Sequence, residues 1–185
     1  MESLLGKHPD MDHNVPALPR FPFVLKGAHG GEGAQVWLIK SSEELQERLQ
    51  TLLQFELQGS SGFVIQEYLP ALERDLRVVV IGNLVVSYWR KAQRFLHNIA
   101  KGGEVDAVSD PDLQAVGREK VRQFCKRSGM NLAAFDLVFP SGEKDPFFLE
   151  INYTFGRTGL GGSENFYKLL QDAVKQWLVE TIKSK

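Results

Sequence analysis

Two apolar runs separated by a cluster of glycines stand near the start of the chain, in the segment PFVLKGAHGGEGAQVWLIK at residues 22–40. Four of the seven residues from 27 to 33 are glycine, and glycine loses more backbone entropy on folding than any other residue. Such a cluster is typical of a loop that turns sharply or lies very close to another group. Because both flanking runs have the composition of strands, we expect a β-hairpin with a glycine-rich tip.

A helix and a third strand are expected after this hairpin. Ser41 and Glu44 have the spacing of an N-cap and its capping box, and leucines at 45, 49, 52 and 53 mark one helical face. The glycines at 59 and 62 end that pattern, and FVIQEYL at 63–69 has the composition of a strand. Strand, strand, helix and strand predict a small α+β unit, because a sheet must cover its apolar face.

The second half of the chain predicts a larger α+β unit. Gly82-Asn83 is a hairpin dipeptide between two apolar runs, a polar loop is expected at 91–108, and a helix is expected to end near Gly129. A last helix, from about Ser163 to Thr181, has apolar residues at helical spacing that should be buried as one stripe. The expected strands are 75–81, 84–90, 133–139 and 146–152. The expected stripe consists of Phe166, Leu169, Leu170, Val174, Trp177 and Leu178.

This order predicts three segments: a linker or arm at 1–20, a small subdomain at 21–70 and a larger subdomain at 71–185. The net charge is −1 without a basic stripe, which argues against general nucleic-acid binding. No apolar run approaches the roughly 18–20 residues of a membrane span, and the single cysteine excludes an intrachain disulfide framework. We expect a cytoplasmic protein without membrane contact, and a homo-oligomer is left open.

Polar residues interrupt two strongly apolar strands, at Asp136 in AAFDL and at Glu150 and Asn152 in FLEIN. Strand alternation predicts that Phe148, Glu150 and Asn152 share one face, so that two oxygen ligands aim at one point and Asp136 joins them from a neighbouring strand. Buried carboxylates need a neutralising cation, and oxygen-only ligands suit Mg²⁺. The alternative for each residue alone is a solvated strand end or a pair with arginine.

Cationic and hinge positions suggest a phosphate-bearing ligand. Lys26 stands where its charge could meet a phosphate beneath the glycine loop, although a surface lysine beside a turn is the plainer interpretation. Arg90 could project from the sheet and hold a phosphate with two hydrogen bonds, or it could be solvated. The segment QEYL at 66–69 could bind an adenine edge through its backbone or be an ordinary strand end. Further cationic and amide side chains near the second hairpin are Arg77, Lys91, Asn98 and Lys101.

The order of these motifs resembles the ATP-grasp family, in the branch of ribosomal-protein glutamate ligases and bacterial glutathione synthetase. The likeness covers roughly residues 21–182 and is carried by VLKG with its glycine loop, QEYL, DLRVVV, WRKA, FDLVF and FLEIN. It implies an ATP-grasp fold, which is α+β, with nucleotide bound between two subdomains. It also implies that this chain is a C-terminal piece of a protein with a preceding domain.

The resemblance implies a role for each matching residue. Arg90 and Asn98 are similar to the family's arginine and asparagine near the γ-phosphate, and Arg157 is a candidate for binding the acceptor carboxylate. The implied magnesium (or manganese) ligands are Asp136, Glu150 and Asn152. The implied nucleotide-binding residues are Lys26, Gly30, Gly31, Gly33, Gln66, Glu67, Tyr68, Leu69 and Asp75, with Asp75 as a ribose contact. The family's usual small–Ser–Pro turn after the last metal ligand is replaced here by YTFGRTGLGG at 153–162.

The function that this resemblance implies is ATP- and Mg²⁺-dependent ligation of a small-molecule or peptide carboxylate to an amine, through an acyl phosphate. Two alternatives stay open at this stage. One is an ATP-grasp phosphotransferase that acts on a non-carboxylate acceptor, and the other is an ATP-binding module without catalysis. Zinc chemistry and nucleophilic hydrolysis are disfavoured, because the histidines lack metal-ligand spacing and no GxSxG elbow occurs.

Overall fold

A computed structural model describes residues 19–27, 35–59, 62–69, 74–91 and 104–183. The chain divides into two compact units, with the boundary between Tyr68 and Leu69. Each unit has its own sheet and its own hydrophobic core. The division agrees with an α+β fold built from two parts.

The first unit contains a three-stranded antiparallel sheet. Its strands are β1 (Phe23–Gly27), β2 (Val36–Ile39) and β3 (Phe63–Glu67), in the order β2-β1-β3. The pairing of β1 with β2 confirms the predicted hairpin, and the Gly27 backbone N–H donates to the Gln35 carbonyl at 2.9 Å, where the hairpin meets its loop. The tip of that loop lies outside the described residues.

One helix, α1 (Ser42–Leu57), covers a face of this sheet. Ser41 is its N-cap, as predicted, and accepts a hydrogen bond from the Glu44 backbone N–H at 3.3 Å. The Glu44 carboxylate accepts from the backbone N–H of Lys40 at 2.7 Å, one residue before the position that a standard capping box would use. The core beneath the helix is formed by Phe23, Leu25, Ile39 and Leu52, with Trp37, Leu45, Leu49 and Ile65 around it.

The second unit is a five-stranded antiparallel sheet between two helices. Helix α2 (Pro111–Ser128) ends at Gly129, as predicted, and α3 (Gly162–Lys183) follows a short 3₁₀ turn at Thr158–Leu160. The sheet order is β6-β5-β4-β7-β8. The strands are β4 (Arg74–Ile81), β5 (Leu84–Lys91), β6 (Glu104–Asp106), β7 (Leu132–Val138) and β8 (Phe147–Asn152).

Each helix covers one face of this sheet. Val121 of α2 packs on the face that carries Leu76, Val78 and Phe135. Phe166 of α3 packs on the opposite face with Tyr88. Alternating residues of β4 therefore enter two different cores.

Two predicted elements differ from the structure. The polar loop expected at 91–108 is shorter, because β5 extends to Lys91 and residues 104–106 form an edge strand that pairs with it. The prediction of a buried stripe along the last helix is correct only for the first half of that helix. Phe166 is buried, whereas Val174, Trp177 and Leu178 are each about half exposed in the described part of the chain, because the sheet beneath contacts only the first half of α3.

A β-bulge in β8 corrects the expected face of Phe148. Asp136 pairs with Glu150, but the next residue, Leu137, pairs with Phe148, so the register passes over Leu149. An extra residue of this kind turns the side chains before it to the other face. Phe148 therefore packs against Phe124 of α2 and Phe135, away from Glu150.

None of the helices in the described part of the chain is both long enough and apolar enough to span a membrane.

Candidate functional site

Cross-strand pairing in the second unit places charged residues side by side on the α3 face of the sheet. Asp75 lies opposite Arg90, and Arg77 lies opposite Tyr88 in the same hairpin. On the other side of β4, Arg77 lies opposite Asp136 of β7. Asp136 in turn lies opposite Glu150 of β8. Residues directly opposite each other share a face of the sheet, so these charges form a row across four strands.

Two aspartates and two arginines of this row form a continuous ion network. Arg90 holds Asp75 through two hydrogen bonds, Nε to Oδ1 at 2.7 Å and Nη2 to Oδ2 at 2.5 Å. Arg77 holds Asp136 in the same bidentate way, at 2.8 and 2.7 Å. Arg90 Nη2 also lies 2.9 Å from Asp136 Oδ2, which joins the two pairs. We call Asp75, Arg90, Asp136 and Arg77 the buried charge cluster.

The buried charge cluster is largely removed from water. Asp75, Arg90 and Asp136 are each 5% exposed or less. Burial disfavours the charged form of Arg90, but the hydrogen bonds that it donates to Asp75 and the attraction of both aspartates outweigh this effect and raise the pKa of the guanidinium. The formal charges of the two guanidiniums and the two carboxylates balance within the cluster.

The three predicted metal ligands are brought to one face of the sheet. Asp136 and Glu150 are cross-strand partners, and Asn152 Nδ2 donates to Asp136 Oδ2 at 3.3 Å. Asp136 is buried whereas Glu150 is exposed. Two carboxylates and one amide suit Mg²⁺, although in the described part of the chain no three His, Cys, Asp or Glu side chains gather as a metal site. Asp136 also shows the arginine pairing that was the alternative for a lone aspartate.

Tyr88 lies beside the arginines of the cluster, on the face of the sheet that packs against α3. Its side chain is buried, and its hydroxyl makes no hydrogen bond of ordinary geometry to any described residue. Burial raises the pKa of the phenol, and the nearby Arg77 and Arg90 act in the opposite direction. Gly159, in the loop before α3, lies directly against the tyrosine ring. Tyr88 therefore connects the charge cluster to the loop at 153–162.

Arg157 lies at the start of the 3₁₀ turn that precedes α3. Its guanidinium lies over the rings of Phe166 and Tyr167, with its carbon 4.6 and 4.7 Å from the ring centroids. Nη1 donates to the Tyr167 hydroxyl at 3.0 Å and lies 3.4 Å from Ser163 Oγ. Two aromatic rings therefore fix the orientation of a partly exposed cation.

The nucleotide residues predicted in the first unit lie on and after two neighbouring strands. Lys26 is in β1 opposite Val64, and Gln66 is in β3 opposite Val24. Because Leu25 and Ile65 point into the core under α1, alternation places Lys26 and Gln66 on the face away from that helix. Glu67 ends β3, and Tyr68 and Leu69 follow it without regular structure.

Several predicted residues lie outside the described part of the chain, and their placement stays a prediction. They are Gly30, Gly31, Gly33 and Asn98. Asp75, predicted as a ribose contact, is described: its side chain is buried, and both carboxylate oxygens accept from Arg90. The ribose contact also stays a prediction.

From the sequence, Arg77 was one of several cations near the second hairpin and Tyr88 had no role, yet both are central residues of this face. A signal for them existed in the two-residue turn at Gly82-Asn83. That turn pairs Ile81 with Leu84 and therefore sets every pair further along the hairpin, including Arg77 with Tyr88. The pairing of Arg77 with Asp136 had no such signal, because β4 and β7 are far apart in sequence.

Comparisons with known proteins agree with this architecture. Residues 2–169 match the model of the RimK-like ATP-grasp domain family. D-alanine–D-alanine ligase from Bacillus anthracis is similar in structure, with a TM-score of 0.61 and 16% identity over 89% of this chain. Biotin carboxylase from Campylobacter jejuni, solved as a βγ-ATP complex, has a TM-score of 0.61 and 17% identity over 83% of this chain. D-cycloserine synthetase DcsG has a TM-score of 0.60 and 17% identity over 84%.

At these identities the solved structures establish the fold. The chain covers 56%, 37% and 55% of the three proteins, which is less than two thirds of the length of each. The predicted ATP-grasp fold is confirmed.

Proposed function

The chain belongs to the RimK-like ATP-grasp domain family, and from that premise we propose that it is the ATP- and Mg²⁺-dependent catalytic domain of a carboxylate–amine ligase. The observation that carries the proposal is the row of Arg90, Asp136, Glu150 and Asn152 on one face of the larger sheet. That row supplies both a cation for phosphate oxygens and oxygen ligands for a metal. The substrates in this proposal are a small-molecule or peptide carboxylate and an amine.

The proposed reaction has two steps, and neither of them needs a nucleophile from the protein. A carboxylate oxygen of the substrate attacks the γ-phosphorus of ATP, and the bond between this phosphorus and the oxygen that bridges it to the β-phosphate breaks. The products of this step are an acyl phosphate and ADP. The amine then attacks the acyl carbon, phosphate leaves, and the nitrogen loses a proton to give the amide. Phosphoryl transfer of this kind depends on positioning and charge neutralisation.

The residues of the second unit divide these tasks in the proposal. Arg90 stabilises negative charge on the transferred phosphoryl group, with Asn98 as a second donor. Asp136, Glu150 and Asn152 would hold the metal, which when bound supplies positive charge to the phosphates. Charged donors in a water-poor site stabilise a transition state by several kcal/mol, about 3–4 for one well-placed donor.

The first unit supplies the nucleotide contacts in this proposal. Lys26 would meet the phosphates, and the bare N–H groups of Gly30, Gly31 and Gly33 would close over them. The backbone of residues 66–69 would bind the adenine edge, with Glu67 near the ribose. The placement of Lys26 and Gln66 on the face opposite α1 supports this assignment.

Arg157 is the proposed contact for the acceptor carboxylate. Its guanidinium lies against the rings of Phe166 and Tyr167 and has few degrees of freedom to lose when an anion binds. The loop that carries it departs from the usual family turn, so this proposal does not take the identity of the acceptor from relatives with that turn.

The experiment that tests the function is hydroxylamine trapping with the full-length protein, ATP, Mg²⁺ and a panel of carboxylates. We expect hydroxamate formation with ADP release, both dependent on Mg²⁺. Glu150→Ala should lower kcat/KM by about 100-fold or more, since even residues that only support metal ligands contribute about 10–100-fold. Glu143→Ala, an exposed glutamate in the turn between β7 and β8, is the matched control and should be unchanged.

Other outcomes separate the alternatives. ADP release without any hydroxamate would identify phosphoryl transfer to a non-carboxylate acceptor. Nucleotide binding without ADP release across the panel would identify a binding module. Full turnover by the Glu150→Ala variant would rule out the proposed role of Glu150 as a metal ligand.

A further inference from the structure

Oδ2 of Asp136 is saturated with hydrogen-bond donors in this structure. An ionised carboxylate offers about four lone-pair sites, shared by its two oxygens. Oδ1 accepts from Arg77 Nε at 2.8 Å, and Oδ2 faces Arg77 Nη2 at 2.7 Å, Arg90 Nη2 at 2.9 Å and Asn152 Nδ2 at 3.3 Å. A metal ion therefore cannot bind Oδ2 until one of these donors leaves.

The two arginines on Asp136 are attached differently. Arg77 makes two hydrogen bonds to Asp136, through Nε and Nη2. Arg90 makes its bidentate pair with Asp75 and touches Asp136 with one nitrogen only. Arg90 can therefore leave Asp136 and remain paired with Asp75, whereas Arg77 would lose the carboxylate that holds its Nε and Nη2. Of the two arginines, Arg90 is the one whose displacement from Asp136 costs less.

Charge balance decides when that displacement can occur. The buried charge cluster contains two carboxylates and two guanidiniums, and the side chains are between 4% and 11% exposed. A free divalent cation would bring two positive charges to this neutral and poorly hydrated cluster, and the carboxylate of Glu150 compensates only one of them, which makes binding of the cation alone costly. A cation that arrives with nucleotide phosphates brings its own negative charge, and those phosphates also attract Arg90.

We propose that Asp75 and Arg77 are positioning residues, and that Arg90 holds the place of the metal at Asp136 until a metal–nucleotide complex displaces it. This inference rests on the proposed function. Asp75 keeps Arg90 tethered as it turns from Asp136 to the phosphate, and Arg77 keeps Asp136 oriented for its new ligand. The site therefore binds the divalent cation together with nucleotide and disfavours binding of the cation without nucleotide.

The test is Mn²⁺ binding to the full chain, measured by electron paramagnetic resonance with and without a non-hydrolysable ATP analogue. The wild-type protein should bind Mn²⁺ at least about 10-fold more tightly with the analogue, a coupling of ordinary size for linked ligands. The charge-balanced double variant Asp75→Asn/Arg90→Gln should bind free Mn²⁺ at least about 10-fold more tightly than wild type. Adding Glu150→Ala should abolish this gain.

The matched control is Arg74→Gln/Asp110→Asn, which removes a partly exposed arginine–aspartate pair between the start of β4 and the start of α2. It should leave both Mn²⁺ affinities unchanged. Equal affinity of the wild type for Mn²⁺ with and without the analogue overturns the inference. If nucleotide-dependent binding is present but the double variant gains nothing, this inference fails and the proposed function stands. If the analogue brings no Mn²⁺ binding at all, both fail.

A second measurement needs no variant, and it tests the proposed displacement of Arg90 if the double variant does not fold. In ¹⁵N spectra of arginine side chains, Arg90 signals should shift when Mg²⁺ and the ATP analogue are added together, and should not shift with Mg²⁺ alone. Arg77 Nε should keep its hydrogen-bonded position in both cases. A shift of Arg90 with Mg²⁺ alone would contradict the proposed order of binding.

Discussion

Gly159 and Tyr88 show how a single position in the loop before α3 depends on a buried side chain. A Cβ atom at position 159 would lie 2.2 Å from Tyr88 Cζ and 2.4 Å from Cε2. The ring cannot move aside freely, because Tyr88 is 1% exposed and packs among Val79, Ala134 and Leu160. Glycine is therefore required at position 159, because the backbone lies too close to the Tyr88 ring for a side chain. The loop that carries Arg157 packs on this ring, which also lies beside the buried charge cluster.

We predict that Gly159→Ala lowers the free energy of unfolding by about 1–3 kcal/mol, the usual cost of forcing extra atoms into a packed core. Urea denaturation followed by circular dichroism measures this change. Gly156→Ala is the control in the same loop, because a Cβ there meets nothing within 4 Å. Equal stability of the two variants would mean that the loop moves away from Tyr88 without cost.

At the scale of elements, α1 begins at a cap that satisfies donors from both sides. Ser41 Oγ accepts from the Glu44 backbone N–H, and the Glu44 carboxylate accepts from the Lys40 backbone N–H. The second bond joins the end of β2 to the first turn of the helix. The cap therefore fixes the angle at which α1 leaves the sheet and places Leu45, Leu49 and Leu52 over its core.

Replacing Ser41 with alanine should destabilise the first unit by about 1 kcal/mol, the typical value for a lost serine N-cap. Thermal or urea unfolding monitored by the fluorescence of Trp37, with the other two tryptophans replaced by phenylalanine in the reference protein, reports on this unit. Ser42→Ala, one residue later at an exposed helical position, should change stability by only a few tenths of a kcal/mol. A result in which Ser42→Ala costs as much as Ser41→Ala would argue against the cap.

On the scale of the whole molecule, the two units differ in how much core each has. Among the described residues, the first unit has one small core cluster, of four buried residues, beneath α1. The second has a core on each face of a five-stranded sheet, under α2 and α3 respectively. Small domains bury a smaller fraction of their surface and are correspondingly marginal. Stability should therefore be distributed unequally between the units.

We predict that residues 69–185 fold alone, with cooperative urea unfolding, and that residues 19–68 do not. Circular dichroism and amide-proton dispersion of the two separate chains measure this difference. Among the described residues, both core clusters of the second unit consist of residues of that unit, which is the physical reason for the expectation. A cooperative transition in the 19–68 chain, or an unfolded 69–185 chain, would show that the core sizes do not govern independent folding.

Local patterns in the sequence were enough for most of the elements. The β1–β2 and β4–β5 hairpins, the Ser41 cap and the end of α2 at Gly129 each depend on a few neighbouring residues, and all were confirmed. The ATP-grasp fold followed from the order of short motifs along the chain. The residue types of the candidate site, two carboxylates and an amide in apolar strands, could also be identified from the sequence.

Only the tertiary structure decided which of these residues meet. Arg77 and Asp136 are 59 residues apart, and the antiparallel pairing of β4 with β7 that joins them is not a property of either strand alone. The bulge at Leu149, which separates Phe148 from Glu150, and the exposed second half of α3 likewise depend on which surface lies opposite. Local sequence determines backbone conformation through short-range sterics and hydrogen bonds, whereas partners distant in sequence are selected by packing of the complete chain.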